Sequence, residues 1–314
     1  MKRILRIAVL FPAFLALAWL ASAAPARATT AGPNGRLAFA AETETSSQIA
    51  TINPDGSGLQ QITHVNGFAT APDWSPDGQR IAFELDDDTH AGIAIMNADG
   101  SNLHDLTPTG LQSQPAFTPD GHHLVYECAL CAGGDGIFLM RDDAADYPGR
   151  RLSTNPFPIQ WDGNAEVAPD GQTVTFVRHQ VDGQLQALFA VDIAGTHTRQ
   201  LTPYDREVAI KHDWAPDGKS IVLTVNGDYP NGQSPNLAIL RPDGAHLRLL
   251  THYADGVTGA FAGSYSPDGH WIVYRLQNNG LFQLWKMNHE GGERRLIGTF
   301  PFAPRFIDWG TYPN

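Results

Sequence analysis

Short apolar runs recur along the chain, each a few residues after a turn that contains proline, aspartate and glycine. Turn residues at both ends of such runs are typical of short strands. The five clearest runs are Ile81-Ala82-Phe83, Leu124-Val125-Tyr126, Val174-Thr175-Phe176, Ile221-Val222-Leu223 and Ile272-Val273-Tyr274. The pattern predicts an all-β fold of many short strands.

Each turn and the run after it belong to a longer repeat. Its five near-intact copies begin at Asp73-Trp74-Ser75-Pro76-Asp77-Gly78, Ala116-Phe117-Thr118-Pro119-Asp120-Gly121, Glu166-Val167-Ala168-Pro169-Asp170-Gly171, Asp213-Trp214-Ala215-Pro216-Asp217-Gly218 and Ser264-Tyr265-Ser266-Pro267-Asp268-Gly269. Their prolines are 43, 50, 47 and 51 residues apart, a period that indicates propeller blades of four strands. A third strand runs into a second glycine turn, as at Asp99-Gly100, and a fourth ends in a pair such as Leu106-Thr107.

The two ends of the chain supply a sixth copy. Pro33-Asn34-Gly35 and Leu37-Ala38-Phe39 match the turn and the second strand, but no aromatic strand precedes them. Phe306-Ile307-Asp308-Trp309-Gly310 matches that missing innermost strand. We therefore predict a six-bladed β-propeller of four-stranded antiparallel blades, closed by the C-terminal strand pairing in the N-terminal blade, which leaves no open sheet edge.

The N-terminus has the features of an export signal. Lys2, Arg3 and Arg6 precede an apolar stretch over residues 7–20, and Ala26-Arg27-Ala28 follows with small residues at a cleavage spacing. The apolar stretch is too short to span a bilayer. We expect a signal peptide over residues 1–28, a single propeller domain over 29–314 with no membrane span, and a periplasmic or secreted protein.

Charge and cysteine content restrict the classes of partner and the chemistry that we expect. The chain carries 21 basic and 33 acidic residues, a net charge of −12, without a basic cluster, and this excludes nucleic acid as a partner. Its two cysteines, Cys128 and Cys131, lie before a Gly-rich loop, and in an oxidising compartment a local disulfide is expected there. A redox C-x-x-C motif or half of a zinc site remain as alternatives.

The W-S-P-D-G turn and the terminal Leu-Thr pair resemble the TolB-like propeller family, whose WD40-like repeat is called PD40. The resemblance covers roughly residues 33–312 and implies an exported binding scaffold. Similar repeats also occur in the propellers of serine oligopeptidases and of some polysaccharide lyases. TolB carries an α/β domain ahead of its propeller, whereas here only residues 29–32 lie between the expected signal peptide and the first repeat, so a Tol-Pal role is not expected.

Two groups of residues are candidates for function. The first group lies in the connections between second and third strands and between blades, where aromatic, arginine and polar residues mix as on protein-binding surfaces: His64, Asp86, Asp88, Trp161, His179, Tyr204, Arg206, His212, Tyr229, His252, Tyr253 and Arg305. The second group is a set of acidic residues just before the recurring aromatic position, which we expect to surround the channel: Asp73, Glu166, Asp213 and Asp308. These carboxylates form an acidic channel, bond to neighbouring blades, or hold Ca²⁺ or Mn²⁺.

The recurring aromatics themselves are expected to pack between blades; they are Trp74, Phe117, Trp214, Tyr265 and Trp309. The sequence contains neither G-x-S-x-G nor H-E-x-x-H. We therefore expect a monomeric, non-enzymatic scaffold without a cofactor or resident metal, binding a protein or peptide of the cell envelope. The alternative is a metal-assisted carbohydrate-active enzyme, similar to oligogalacturonate lyase, or a sugar-binding module that uses the acidic channel and the histidines of the connections.

Overall fold

The computed structural model describes residues 32–132, 134–154, 160–180, 185–209, 211–226 and 233–313. Within those ranges the regular structure is 24 strands and one 3-10 turn, with no α-helix. The first eleven strands are β1 (Asn34–Glu42), β2 (Ser47–Ile52), β3 (Gln60–Gln61), β4 (Gly67–Trp74), β5 (Arg80–Asp87), β6 (Ala91–Asn97), β7 (His104–Asp105), β8 (Leu111–Phe117), β9 (His123–Ala129), β10 (Gly136–Arg141) and β11 (Arg150–Arg151).

The second half of the chain continues in the same way. Its strands are β12 (Trp161–Val167), β13 (Thr173–His179), β14 (Gln186–Asp192), β15 (Arg199–Gln200), β16 (His212–Trp214), β17 (Ile221–Val225), β18 (Asn236–Leu240), β19 (Arg248–Leu249), β20 (Gly259–Tyr265), β21 (Trp271–Asn278), β22 (Leu281–Asn288), β23 (Arg295–Phe300) and β24 (Ala303–Thr311). The 3-10 turn, Tyr204–Arg206, lies between β15 and β16. No helix of the described residues is long and apolar enough to cross a membrane.

Sequential antiparallel pairing gives four separate sheets of four strands: β8 to β11, β12 to β15, β16 to β19 and β20 to β23. In each sheet the first strand is innermost and the fourth is a two-residue to six-residue outer strand. The expected all-β propeller with antiparallel four-stranded blades is therefore confirmed.

The remaining strands form one eight-stranded sheet instead of two separate blades. Its order is β24-β1-β2-β4-β5-β6-β7, with β3 also paired to β2. β24 runs antiparallel to β1 from Asn34↔Thr311 to Glu42↔Ala303. β2 and β4 meet at a single parallel pair, Ser47↔Phe68. The structure thus has four separate blades where six were expected, because this one contact joins two four-stranded halves.

The recurring turn owes its shape to its aspartate and its glycine. After β4, Asp77 Oδ1 accepts hydrogen bonds from Ser75 Oγ at 2.6 Å and from the backbone N–H of Gln79 at 3.0 Å. Gly78 adopts φ of +68°, which residues with a Cβ rarely adopt. These turns and the turns between third and fourth strands emerge on one side of the sheets, named here the turn face. The opposite side, with the connections between second and third strands and between sheets, is the loop face.

The recurring aromatics form the core between sheets, as their repeat position indicates. Trp74, Phe117, Trp214, Tyr265 and Trp309 are all buried. The hydrophobic clusters around them combine residues from adjacent sheets: Trp214, for example, packs with Val177 and Leu188 of the preceding sheet. These interfaces between sheets are therefore closed by an aromatic side chain from the end of an innermost strand. At the interface of β8–β11 with β12–β15 the same position holds Val167 instead.

Candidate functional site

The four acidic residues before the aromatic position line one cavity of about 50 Å³. Asp73, Glu166, Asp213 and Asp308 reach it from β4, β12, β16 and β24, and we name it the carboxylate cavity. It opens toward the turn face, since Ser75 and Pro76 of the first repeated turn also line it.

Three of these carboxylates bond to the innermost strand of a neighbouring unit. Asp308 accepts the backbone N–H of Trp74 at 2.9 Å, and Asp73 accepts that of Phe117 at 2.7 Å. Asp213 accepts the N–H of Tyr265 at 2.7 Å. Each bond joins an acidic residue to the aromatic residue of the following repeat, so the carboxylates fasten the inner strands to one another.

The fourth carboxylate has a different partner, which the sequence did not reveal. Glu166 forms a largely enclosed ion pair with Lys211, whose side chain comes from the segment just before β16. Two residues before the acidic position, the other five repeats have Ala71, Gln114, Asn164, Ala262 and Phe306 in place of this lysine. That departure from the repeat was the available signal for Lys211.

Burial dominates the electrostatics of the carboxylate cavity. It raises the pKa of Asp213 to about 8 and holds the pKa of Asp73 well above its usual value, and the neighbouring carboxylates add to both shifts. Burial alone would lower the pKa of Lys211, but Glu166 and the aspartates keep that pKa above the ordinary lysine value. Within the described residues, no group of three or more His, Cys, Asp or Glu side chains is arranged to hold a metal ion.

The loop face carries exposed apolar side chains at one repeat position. Phe68, Leu111 and Trp161 lie five residues before the acidic position of their repeats and are 42%, 57% and 39% exposed. We name these three residues the apolar arc. In the other repeats the position holds a buried valine, Val208, or one of the small residues Gly259 and Ala303. Only one side of the loop face therefore presents large apolar groups from this position.

Trp161 is held in place by a histidine beneath it. The rings of Trp161 and His179 stack at 3.3 Å between centroids and 8° between planes. His179 is 1% exposed, and among the described residues neither of its ring nitrogens has a hydrogen-bond partner. Burial lowers its pKa to about 3, so it is a neutral platform for Trp161 at physiological pH.

The other candidates of the connections are divided by burial. His64, Asp86, Asp88, Arg206 and His252 are exposed, whereas Tyr204, Tyr253 and Arg305 are partly buried. Tyr204 and Tyr253 pack against hydrophobic clusters. Tyr229 lies outside the described residues.

His212 and His179 correct the prediction of exposed histidines on the loop face. His212 is fully buried, and its Nε2 lies 2.8 Å from Thr175 Oγ1 of the neighbouring sheet. Thr175 also accepts a hydrogen bond from the indole N–H of Trp214. His212 lies within the strand β16, so its side chain is enclosed between two sheets, while His179 is covered by Trp161.

A disulfide joins Cys128 and Cys131 at the loop end of β9. Between the two cysteines, Leu130 has a φ of +61° and is 81% exposed. The neighbouring residue Ala129 pairs with Leu111. The disulfide loop therefore presents a further apolar side chain beside the apolar arc.

Two curated proteins are similar to parts of this chain. An uncharacterized protein of Agrobacterium fabrum is 24% identical over 200 residues, which is 64% of this chain and 61% of that protein. The Tol-Pal system protein TolB of Anaeromyxobacter dehalogenans is 34% identical over 103 residues, which is 33% of this chain and 22% of TolB. The chain thus spans less than two thirds of the length of either relative.

Solved structures share the fold. TolB from Acinetobacter baumannii matches with a TM-score of 0.71 at 20% identity, over 88% of this chain and 67% of that one. An oligogalacturonate lyase in complex with manganese matches with a TM-score of 0.56 at 16% identity, over 86% of this chain and 75% of the lyase. Identities this low show a common fold and nothing about activity.

The family model PD40, described as the TolB beta propeller domain, matches residues 21–211. The matched segment contains three of the near-intact turns found in the sequence, those at Pro76, Pro119 and Pro169. Because that match covers more than half of the chain, the chain belongs to the TolB beta propeller family.

Proposed function

We propose that this protein is an exported, non-enzymatic scaffold that binds a protein or peptide of the cell envelope on its loop face. The observation that carries the proposal is the apolar arc. Phe68, Leu111 and Trp161 expose large apolar side chains at one repeat position on adjacent units. Tryptophan, as at Trp161, is among the residues that most often dominate protein–protein binding energy.

The contrast between the two faces supports this assignment. The turn face repeats the same Pro-Asp-Gly turn, whose aspartates are occupied by local hydrogen bonds. The loop face varies between units, from the disulfide loop with Leu130 to the stacked pair of Trp161 and His179. Variable loops on a rigid scaffold are where binding residues concentrate.

The proposal includes a closed ring of six blades as the rigid scaffold. In this interpretation β24, β1, β2 and β3 form one blade, and β4 to β7 form the next. The antiparallel pairing of β24 with β1 supports this division. So does a hydrophobic cluster that combines Phe39 and Ile52 of the first repeat with Val273 and Leu284 of the last. A closed ring would hold the loop-face side chains in fixed positions, which lowers the entropic cost of binding.

Export over residues 1–28 and a location in the periplasm or outside the cell are part of the same proposal. They are supported by the basic and apolar pattern of the N-terminus. The similarity to Tol-Pal system proteins is consistent with an envelope partner. The alternative carbohydrate-active site is less well supported, since Asp73, Asp213 and Asp308 are engaged by backbone N–H groups and His212 is enclosed.

The test is crosslinking affinity capture from envelope extract of the protein's own host, using tagged residues 29–314. One variant combines Phe68→Ser, Leu111→Ser and Trp161→Ser. The matched control combines Leu59→Ser, Leu103→Ser and Leu296→Ser, which are similarly exposed but lie on or beside the outermost strands.

A partner captured by the unaltered protein and by the control, but lost with the apolar-arc variant, is the expected result. Equal capture by the apolar-arc variant would show that the binding surface lies elsewhere. Capture of no protein by any form would remove the scaffold proposal itself.

A further inference from the structure

A cavity of about 380 Å³ opens on the turn face, between the sheet of β16 to β19 and the sheet of β20 to β23. Its walls come from two consecutive Pro-Asp-Gly turns, those at Pro216 and Pro267, and from His289 in the turn between β22 and β23. We name it the turn-face cleft. Its volume lies within the range of roughly 300–1,000 Å³ that small-molecule sites occupy.

The cleft is open because one repeat position holds a small residue here. Four residues after the proline of the turn, this unit has Ser220, whereas four other repeats have Arg80, His123, Thr173 and Trp271. In the interface between the second and third repeats, Arg80 occupies the corresponding space. Its Cζ lies 5.4 Å from the centroid of the Phe117 ring, and its Nη1 lies 2.9 Å from Asp142 Oδ2. The serine leaves that space open at the turn-face cleft.

A pair of hydroxyl groups forms the inner wall of the cleft. Tyr265 occupies the recurring aromatic position, where no other repeat has a hydroxyl group. Its hydroxyl oxygen lies 3.0 Å from Ser220 Oγ. Burial raises the pKa of Tyr265 to about 12, so the hydroxyl keeps its proton at neutral pH. Each hydroxyl can donate one hydrogen bond and accept two, so the pair retains one donor and several acceptor positions for a ligand.

Two histidines add hydrogen-bonding groups at the mouth of the cleft. His270 and His289 both line it and are both exposed. The backbone N–H of His289 donates to the carbonyl of His270 at 3.2 Å, as that of Asp142 donates to His122 in the interface that Arg80 fills. Within the described part of the chain, no hydrogen bond or ion pair engages either imidazole ring. A neutral imidazole donates through one nitrogen and accepts through the other.

The charged groups around the cleft argue against an ionic ligand. None of the described residues that line it is a lysine or an arginine, so an anion would lack a cationic partner. Its two carboxylates are engaged: Asp217 Oδ2 lies 3.2 Å from Lys219 Nζ, and Asp268 Oδ2 accepts a hydrogen bond from Asn34 at 2.8 Å. A cation would have to displace these partners. The groups that remain for a ligand are neutral donors and acceptors.

We propose that the turn-face cleft binds a saccharide. The hydroxyl groups of a sugar donate and accept hydrogen bonds at once, and the hydroxyls of Ser220 and Tyr265 and the imidazoles of His270 and His289 do the same. The ring of Pro267 adds apolar surface for the C–H groups of the sugar ring. This activity is separate from the peptide binding proposed above, since the apolar arc lies on the opposite face.

The test is a ligand-observed NMR titration of residues 29–314 with glucose, galactose, mannose, N-acetylglucosamine, cellobiose, maltose and chitobiose. Glycerol serves as a control for non-specific contact with hydroxyl groups. At least one saccharide should bind with a dissociation constant of about 1 mM or lower. Glycerol should show no binding.

Protein variants locate the site. Ser220→Arg introduces the side chain that fills the corresponding interface at Arg80, so it should weaken the bound saccharide about tenfold or more. Tyr265→Phe removes one hydroxyl and should weaken it about fivefold. Thr173→Arg is the matched control, because Thr173 has the same repeat position and is also partly buried, but lies at a different interface between sheets. That variant should bind as the unaltered protein does.

Two outcomes would overturn the inference. One is that no saccharide binds at concentrations up to about 10 mM. The other is binding that survives both Ser220→Arg and Tyr265→Phe, which would place the sugar elsewhere. Tyr265→Phe keeps the test informative if Ser220→Arg fails to fold. The apolar-arc variant should bind the saccharide normally, so the scaffold proposal and this inference succeed or fail independently.

Discussion

The carboxylate cavity and the loop face use the same innermost strands in different ways. At the cavity, Asp73, Asp213 and Asp308 accept backbone N–H bonds from neighbouring units. Five residues earlier on β4 and β12, Phe68 and Trp161 leave 42% and 39% of their surface exposed. The acidic residues thus fasten neighbouring inner strands to one another, whereas the apolar arc is exposed and is the surface that we propose for binding. The comparison teaches that acidic residues whose oxygens are engaged by backbone N–H groups are structural, even where their repeat position made them candidates for a site.

The largest expected effect comes from a tryptophan on the structural side. Trp214→Ala removes a buried ring and its hydrogen bond to Thr175, so the free energy of unfolding should fall by about 3 to 5 kcal/mol. Urea unfolding followed by fluorescence or circular dichroism measures the change.

Trp214→Phe is the control for ring volume. It keeps most of the buried area and should cost clearly less than the alanine variant. If Trp214→Ala lowers the free energy of unfolding by less than about 1 kcal/mol, this aromatic position does not stabilise the interface between sheets.

The second effect concerns Asp213 and its dependence on pH. Asp213→Ala leaves the N–H groups of Trp214 and Tyr265 without their acceptor, which should cost about 2 to 4 kcal/mol. The exposed Asp205 provides a control, because Asp205→Ala should change stability by less than about 0.5 kcal/mol. Similar losses for both variants would contradict a structural role for Asp213.

The pH dependence follows from the raised pKa of Asp213. An unfolded aspartate titrates near 4, while the folded one has a pKa of about 8. Between those pH values, Asp213 keeps its proton in the folded state but has lost it in the unfolded state. The contribution of Asp213 to the free energy of unfolding is therefore present at low pH and is lost as the pH rises toward 8. Thermal unfolding at pH 5 and pH 8 should show the higher melting temperature at pH 5.

Asp213→Asn should reduce the difference in melting temperature between pH 5 and pH 8 without removing it. Burial also raises the pKa of Glu84 to about 7 and that of Glu127 to about 8, and these two groups act in the same direction. An unchanged pH dependence in Asp213→Asn would assign the effect to the other carboxyl groups whose pKa burial raises, which are Glu84, Glu127, Asp73 and Glu166.

The smallest effect on stability is expected on the binding side. Trp161→Ala removes a ring that is 39% exposed and stacks on His179, and it should lower the free energy of unfolding by about 1 kcal/mol. The same variant should lose most of its affinity for any peptide retained on the loop face, as hot-spot residues do. Differential scanning calorimetry and binding measurements on one preparation give both values. A stability loss equal to that of Trp214→Ala would place Trp161 in the core.

The sequence predicted features that depend on residues close to one another along the chain, and it did not predict contacts between residues that are far apart in sequence. Local signals worked: the Pro-Asp-Gly spacing located the turns, and the strands begin within a few residues after them. The position before each aromatic correctly grouped the residues that share the carboxylate cavity. The histidines could not be sorted in this way, since His212 and His64 look alike in sequence but one is enclosed between sheets and the other is exposed.

The sequence by itself determined the strands, the turns and the repeat, because these depend on residues within a few positions of one another. Only the tertiary structure decided which side chains converge. Glu166 meets Lys211 across 45 residues, and Arg305 meets Glu42 across 263. It also decided that β2 and β4 join through Ser47 and Phe68. Such contacts depend on how whole sheets pack around their shared centre, and no local pattern of apolar and polar residues encodes that arrangement.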